Sequence, residues 1–236
     1  VGHAADLYFR DSHEDRTYTT GLLLQKPAHD LDIIHWLCGG SRQKLPDLGA
    51  LTLYGDLPGR KPASKGPCRI RPGEMKRKAF PPTRMRGLNH RIAVEDLSTV
   101  QMQLDNGVLA TYAQCHFTPD YWRNYMFIGT EGRMENFGNG EPGTHVRVWN
   151  RRKQGYDGRG DATYRIPVSR GTHGGADPMI MAEFLRFARH GGKTATSPLA
   201  ARESVATGCM ATESLRAGGE LRIVPRVSPG LAKQFL

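Results

Sequence analysis

The spacing of apolar positions changes within residues 21–40, which carry the clearest local pattern of the chain. The apolar run at residues 22–24 predicts a buried strand, and Pro27 ends it because proline lacks the N–H that a central strand would use. From His29 onward the pattern has the period of an amphipathic helix, which two glycines end. The predicted helix face contains His29, Asp32, Ile33, Trp36 and Leu37. Lys26 and His29 are therefore expected at a strand-to-helix junction, where side chains can project into a cleft.

Strand-like runs follow one another downstream of residue 95. Residues 97–104 and 108–117 flank Asn106-Gly107, and an Asn-Gly pair between two such runs is a strong hairpin signal. Further strands are predicted at residues 124–129, 133–137, 144–150 and 162–168, with shorter ones at 4–10, 50–54 and 222–225. Together these runs predict an antiparallel meander of about six to eight strands.

Two helices are predicted after the meander. Asp177-Pro178 and Ser197-Pro198 each combine a favourable N-cap residue with a proline at the first helical position. The two helices extend to about residues 190 and 217. Strands grouped in this way predict an α+β fold, with an open-faced, mostly antiparallel β-sheet and helices on one face. An uncovered apolar sheet face favours self-association of the chain.

Composition narrows the class of protein. With 236 residues and 38% hydrophobic content, the chain suits one large globular domain or two small ones. No apolar run approaches the roughly 20 residues of a membrane span. The four cysteines are scattered without a C-x-x-C pair or zinc spacing, which is typical of reduced thiols in a cytoplasmic protein. No metal site is expected.

The net charge of +10 is confined to one stretch of the chain. Residues 60–91 contain 11 Lys and Arg residues and a single acid, Glu74, so the remainder is neutral. Five prolines within residues 60–91 and the absence of periodicity predict an irregular, partly mobile basic insertion at about residues 58–92. It could bind phosphate or nucleic acid, but it lacks zinc-finger spacing and has one aromatic residue, Phe80. A solvated loop, or a loop that crosses to a neighbouring subunit, is the favoured interpretation.

Residues 21–40 resemble the start of the second domain of the glucose–fructose oxidoreductase/inositol dehydrogenase (Gfo/Idh/MocA) family. In that family a D-x-x-x-H-x-x-D motif carries the catalytic histidine. His29 and Asp32 match its last two positions, and Gln25 stands at the first. Three further segments carry the same resemblance: EDLSTVQMQLDNGVLATY, NYMFIGTEGRMEN and TSPLAARESVATGCMATESLR. It covers almost the whole chain except the basic insertion.

The resemblance implies a dihydrodipicolinate-reductase-like domain over residues 1–236 that serves substrate binding and dimerisation. The longer protein would be an NAD(P)-dependent oxidoreductase acting on a sugar, a cyclitol or a related polyol. His29 would be the acid/base, since histidine titrates near neutrality and can carry the proton of an alcohol group. Lys26 would act as a cation close to the reacting oxygen. Asp32 is expected to be structural.

Several polar residues at strand ends are candidates for contacts with substrate. His173 lies in a glycine-rich loop before a helix N-terminus, where freed N–H groups favour polar ligands. The candidate substrate-binding residues are Arg10, His13, His116, Arg123 and His173. Surface ion pairs and a helix cap are the alternative explanation for the same residues.

The sequence lacks a G-x-G-x-x-G motif that follows a strand and opens a helix. No cofactor-binding residue is therefore expected in this chain, and NAD or NADP would be held mainly by an N-terminal Rossmann domain that the sequence, beginning at Val1, does not contain. A homodimer or homotetramer through the open sheet face is expected. The alternative hypothesis is a non-catalytic ligand-binding or dimerisation module without a cofactor.

Overall fold

A computed structural model describes Phe9 and residues 15–16, 19–41, 43–60, 81–168 and 171–233. These residues form two compact units. The larger unit combines the described residues up to Tyr121 with those from Thr196 onward, and the smaller unit comprises residues 122–195. The candidate residues Arg10 and His13 lie outside the described residues, as do residues 61–80 of the basic insertion and all of the predicted strand at 4–10 except Phe9.

The elements of both units follow in chain order. The helices are α1 (Leu22–Gln25), α2 (Pro27–Cys38), α3 (Ala176–His190), α4 (Pro198–Arg216) and α5 (Pro229–Ala232). The strands are β1 (Gln43–Leu45), β2 (Asp47–Ala50), β3 (Leu97–Leu104), β4 (Leu109–Cys115), β5 (Met126–Gly129), β6 (Gly132–Phe137), β7 (His145–Trp149), β8 (Ala162–Arg165) and β9 (Arg222–Ile223). Short 3-10 helices occupy Pro82–Arg84 and Thr172–Gly175.

The larger unit is built on a five-stranded antiparallel sheet. β3 pairs with β1 and β2 along one edge and with β4 along the other, and β9 pairs with β1. The predicted hairpin between β3 and β4 is confirmed, and Gly107 closes its turn with a positive φ of 87°. Ser197 is confirmed as the N-cap of α4, because its Oγ accepts the N–H of Ala200 at 3.2 Å.

One face of this sheet is buried and the other is exposed. Along β3 the even-numbered residues Ser98, Val100, Met102 and Leu104 point inward and are buried. Helix α4 packs against β1, β2 and β9, and helices α1 and α2 pack against α4. The outward-pointing positions of β3 and β4 are largely exposed. The predicted α+β class, with an open antiparallel sheet and helices on one face, is confirmed.

A second group of buried residues lies beneath the loop that follows β2. Phe9 and Tyr54 stack with ring centroids 4.4 Å apart, and Met85 and Leu88 pack in the same cluster. The buried Asp96 carboxylate holds the loop in place by accepting hydrogen bonds of 2.7–2.9 Å from residues 52–54. Residues 81–92, which the sequence assigns to an irregular excursion, thus contribute to a core.

The smaller unit contains a four-stranded antiparallel meander, β5-β6-β7-β8, followed by α3. The side chains of β6 and β7 are half-buried. α3 has no buried residue among its 15 positions. The predicted single meander is therefore two separate sheets in the described residues.

The apolar run at residues 22–24 is wrong as a strand prediction, because it forms helix α1. Leucine favours helices, and Pro27 begins the next helix at its first position, where proline's missing N–H leaves no hydrogen bond unmade. Residues 51–54 of the predicted strand at 50–54 lie in the loop held by Asp96.

The predicted helix face of α2 is also wrong. Trp36 is 78% exposed, whereas Asp30, Leu31, Ile34 and His35 are buried. The polar Asp30 belongs to the inner face because its Oδ2 accepts a hydrogen bond from Tyr112. Within the described ranges, no helix is both long and apolar enough to span a bilayer.

Candidate active site

The site begins at the kink between α1 and α2. Lys26 lies at this kink and is half-buried, with Pro27 following it as the first residue of α2. His29 occupies the first turn of α2, where its N–H donates to the Lys26 carbonyl oxygen at 3.1 Å. Its side chain is exposed. The kink therefore presents a cation and a neighbouring imidazole at the surface of the larger unit.

The inner side of α2 is held by two carboxylates. The buried Asp30 Oδ2 lies 3.4 Å from the Tyr112 hydroxyl, which is also 3.4 Å from Gln114 Oε1. Asp32 Oδ1 accepts a hydrogen bond from Ser204 of α4 at 3.0 Å. The contact between Asp32 and Ser204 agrees with the structural role expected for Asp32.

An ion cluster lies at the start of α1. The buried Glu95 accepts two hydrogen bonds from Arg216, Nε to Oε1 at 3.1 Å and Nη2 to Oε2 at 3.2 Å. Arg16 adds a third contact at 2.5 Å. A paired, hydrogen-bonded carboxylate tolerates burial that an isolated one does not. The sequence alone does not predict this cluster, since Glu95 and Arg216 lie 121 residues apart and no local spacing relates them.

His116 is located in the core rather than at the surface. It is 1% exposed, and its ring meets Phe9 edge-on with the ring centroids 5.9 Å apart. Its backbone N–H donates to the Asp96 carbonyl oxygen. A substrate contact by His116 stays a prediction, and it would require access to a buried ring.

Arg123 and His173 belong to the smaller unit. The Arg123 carbonyl oxygen accepts a hydrogen bond from Asn136 at 2.8 Å. The exposed His173 has a φ of 50° and lies 2.8 Å from Asp177 through its Nδ1. Asp177 is not the predicted N-cap of α3, because the cap position falls at Gly175. The contact with His173 shows that Asp177 instead orients this loop.

Comparison with known proteins identifies the chain. A model of the oxidoreductase family's C-terminal alpha/beta domain, the Gfo/Idh/MocA C-terminal domain, matches residues 10–223. The chain belongs to this family. A Bacillus subtilis (strain 168) protein named as an oxidoreductase, YteT, is 22% identical over 209 residues, which cover 75% of this chain and 49% of YteT. The chain thus spans about half the length of the curated relative it matches.

Solved structures share the fold of this Gfo/Idh/MocA domain. A levoglucosan dehydrogenase in complex with NADH and levoglucosan superposes with a TM-score of 0.61 at 17% identity, covering 96% of this chain and 57% of the dehydrogenase. An aldose-aldose oxidoreductase from Caulobacter crescentus complexed with glycerol gives 0.59 at 12% identity, with 94% and 53% covered. At such identities the likeness establishes the fold.

The structure also tests whether the Gfo/Idh/MocA chain could hold a nicotinamide cofactor by itself. A dinucleotide fold needs parallel strands joined by a helix, with a glycine-rich turn before that helix. Among the described residues every pair of named strands is antiparallel, so these residues do not form a dinucleotide fold of that kind. In the same residues no three His, Cys, Asp or Glu side chains gather as metal ligands would.

Cysteine chemistry is not favoured at this site. Cys38, Cys115 and Cys209 are free thiols, and burial raises the pKa of each. A raised thiol pKa lowers the fraction of the reactive thiolate. Cys68 lies outside the described residues. The kink with Lys26 and His29 remains the candidate centre for acid/base chemistry.

Proposed function

We propose that this chain is the substrate-binding and dimerisation part of a longer NAD(P)-dependent oxidoreductase that acts on a sugar, a cyclitol or a related polyol. The observation that carries the proposal is that a half-buried Lys26 and an exposed His29 lie together at one helix kink. The family membership and the saccharide-related names of levoglucosan dehydrogenase and aldose-aldose oxidoreductase support it. Another part of that longer protein would hold the cofactor. The protein would be located in the cytoplasm.

In this proposal His29 accepts the proton of the substrate hydroxyl when its carbon is oxidised, and returns that proton when a carbonyl is reduced. The Lys26 ammonium lies one residue before α2 and stabilises negative charge on the same oxygen. A bound nicotinamide would supply the hydride chemistry. The high exposure of His29 suits a residue that must meet a substrate and exchange its proton with water.

The remaining hydroxyls of the substrate need further polar contacts. Arg123 and His173 are proposed to supply them from the smaller unit, and Arg10 and His13 from the segment outside the described residues. His116 stays in the proposed set, and a substrate would need access to its buried ring. Guanidinium and imidazole groups donate hydrogen bonds that suit hydroxyl and carboxylate oxygens.

The first experiment determines the intact mass of the protein as its native cell makes it. We expect a mass above the 26.2 kDa of this chain by roughly one further domain, on the order of 100–150 residues. That protein should oxidise NAD(P)H or reduce NAD(P)⁺ with at least one member of a panel of sugars and cyclitols. A native mass of 26.2 kDa without such turnover would leave a non-catalytic binding module as the function.

The outer face of the larger sheet is proposed as the dimer interface. Leu109, Gln103, Lys44 and Ile223 pair in register across β4, β3, β1 and β9 on this face. Leu109 is 76% exposed and Ile223 62%, with Leu48 nearby on the same face at 65%. These exposed apolar side chains, which lie beside the polar Lys44 and Gln103, favour pairing with a second copy.

Light scattering after size exclusion tests the dimer. The protein should elute as a dimer or tetramer, and Leu109→Asp should shift it toward the monomer because it places a charge in the apolar face. Leu231→Asp in α5 is the matched control, since it changes an exposed leucine on a helix rather than on a strand of this sheet. A wild-type monomer, or a Leu109→Asp protein that keeps its assembly, contradicts the interface.

A further inference from the structure

We infer that α4 positions Lys26 and His29 through one ridge, which is a row of residues spaced four apart on one face of the helix. The ridge consists of Ser204, Gly208, Thr212 and Arg216. Residues four apart lie on the same face of a helix, one turn above another. This inference rests on the proposed function, because it concerns the residues to which that function assigns the chemistry. It makes the ridge a set of positioning residues that need not touch the substrate.

The first end of the ridge holds α2. The Ser204 hydroxyl donates to Asp32 Oδ1 at 3.0 Å, three residues beyond His29. Ser204 also donates to the Ala200 carbonyl oxygen at 3.1 Å, so its single proton is shared between two acceptors. The contact fixes α2 to α4 at the turn that follows His29.

The middle of the ridge holds α1 by direct backbone contact. A Cβ atom added at Gly208 would lie 2.8 Å from the Leu23 carbonyl oxygen and 3.2 Å from the Leu24 side chain. The first distance is shorter than real Cβ contacts allow, so α1 reaches α4 this closely only because residue 208 has no side chain. Gly208 lies inside a 19-residue helix, where glycine weakens the helix. Close packing against α1 is the structural reason for its presence there.

The last end of the ridge holds the start of α1. Gly21 precedes α1, and a Cβ there would lie 3.1 Å from Arg216 Nη2 and 3.5 Å from Thr212. Arg216 is itself held by its two hydrogen bonds to the buried Glu95. The ridge therefore contacts the chain on both sides of the kink. It contacts Gly21 and Leu23 before Lys26, and Asp32 after His29.

Two anchored sides leave the kink little freedom to rotate. A displacement of α1 away from α4 would move Lys26 relative to His29, because α2 stays fixed through Asp32. Near-attack geometry is demanding, and a misplacement of about 1 Å can reduce turnover about 100-fold. The spacing between the two catalytic candidates is thus set by a helix that neither residue belongs to.

Gly208→Ala tests the inference on this chain by NMR. We expect the added methyl to displace α1 and shift the amide signals of residues 21–26 and the His29 ring signals. Gly230→Ala is the matched control, since nothing lies within 4 Å of its added Cβ. Val100→Ala controls for lost stability, because it creates a cavity in the buried face of the sheet at a residue that is not part of the ridge. Unchanged Lys26 and His29 signals in folded Gly208→Ala would overturn the inference.

Turnover in the native-length protein supplies the second readout. Gly208→Ala should lower kcat about tenfold with a smaller change in KM, whereas Val100→Ala should keep kcat at temperatures where it is folded. Ser204→Ala, which removes only the contact with Asp32, should give a smaller loss and covers the case in which Gly208→Ala does not fold. Shifted NMR signals with no catalytic effect of His29 variants would mean that the proposed function fails while the ridge stands. Equal kcat losses in Gly208→Ala and Val100→Ala would contradict positioning.

Discussion

The larger unit buries its polar and apolar groups together, whereas the smaller unit leaves most of its side chains accessible. Asp30, Asp47, Glu95 and Asp96 are all buried in the larger unit. Across the described part of residues 122–195, Thr144 is the one buried residue. The two units therefore depend on different forces, although both are built on antiparallel sheets.

Arginine–aromatic pairs hold the sheet of the smaller unit. The Arg133 guanidinium carbon lies 3.8 Å above the Trp149 ring centroid, and that of Arg147 lies 4.6 Å from Phe137. The Trp149 indole N–H donates to the Asp157 carbonyl oxygen at 2.6 Å. Each cation–π contact of this kind contributes about 0.5–1 kcal/mol to stability at accessible sites. The smaller unit thus gains its order from many weak surface contacts.

The contrast bears on where the chemistry is located. Lys26 lies between α1 and α2, and His29 lies on α2. Both helices pack against α4, which packs against the sheet, so the larger unit can hold the two residues in a fixed geometry. Arg123 and His173 lie on a unit with little buried surface. In the proposed function, the catalytic candidates thus lie on a packed unit and the candidate substrate contacts Arg123 and His173 lie on an accessible one.

The largest expected effect is that of Asp96→Ala in the larger unit. The Asp96 carboxylate accepts four hydrogen bonds from residues 52–54, and their loss would leave the buried N–H of Tyr54 and the part-buried N–H groups of Thr52 and Leu53 unpaired. We expect the free energy of unfolding to fall by about 3–5 kcal/mol in a urea titration. Asp120→Ala, at an exposed carboxylate, is the control and should change little. A loss for Asp96→Ala no larger than that of the control would remove the claim that buried polar contacts hold this unit.

A second effect, of roughly 2–4 kcal/mol, concerns the pH dependence of the larger unit. Burial between β2 and α4 raises the pKa of Asp47 to about 7. Since the folded pKa lies above the unfolded value of about 3.9, Asp47 costs no stability below pH about 4, and the fold loses stability as the pH rises toward 7. Asp47→Asn should therefore unfold at higher urea than the wild type at pH 8.

The comparison between pH 4 and pH 8 serves as the control for Asp47→Asn. The variant should approach the wild type at pH 4, where the aspartic acid is protonated, and keep its backbone contact, in which Asp47 Oδ1 accepts the N–H of Gln101 at 3.2 Å. A constant difference between the two proteins at both pH values would exclude Asp47 as the titrating group.

The smallest effect is expected in the smaller unit, for Arg133→Lys. Lysine keeps the charge beside Glu135, which is 3.2 Å from Arg133, but loses the planar stacking on Trp149. Hydrogen exchange of the β6 and β7 amides should report a loss of about 0.5–1 kcal/mol. Arg165→Lys on the neighbouring β8 is the control. A loss of several kcal/mol would mean that the smaller unit has a cooperative core after all.

Local patterns predicted the elements whose side chains alternate cleanly. The hairpin of β3 and β4 was predictable because its turn residues and its period agree, and Ser197-Pro198 marked the start of α4 through local capping chemistry. The run at residues 22–24 was misread because a short apolar run does not distinguish a buried strand from a buried helix. In the folded chain this run packs closely against Gly208, which is distant in sequence.

In the candidate site, too, local patterns predict some residues, whereas long-range contacts determine the others. Lys26 and His29 were found from their position after an apolar run and before a helical period, and both lie at the kink. The helix face was predicted wrongly because Asp30 and His35 are polar and yet buried, and the hydrogen bond between Tyr112 and Asp30 is a long-range contact. Glu95 and Arg216 were missed for the same physical reason, since their pairing exists only after the chain folds.

The most direct test of the central claim measures the turnover of the native-length protein with His29 replaced by alanine. If His29 is the acid/base, kcat should fall by about 10²–10⁴ while the protein retains its fold, since removal of a general acid/base has this effect. His190→Ala, at an exposed histidine on α3, is the matched control and should retain turnover. Wild-type turnover in His29→Ala would contradict the assignment and leave the exposed kink without a catalytic role.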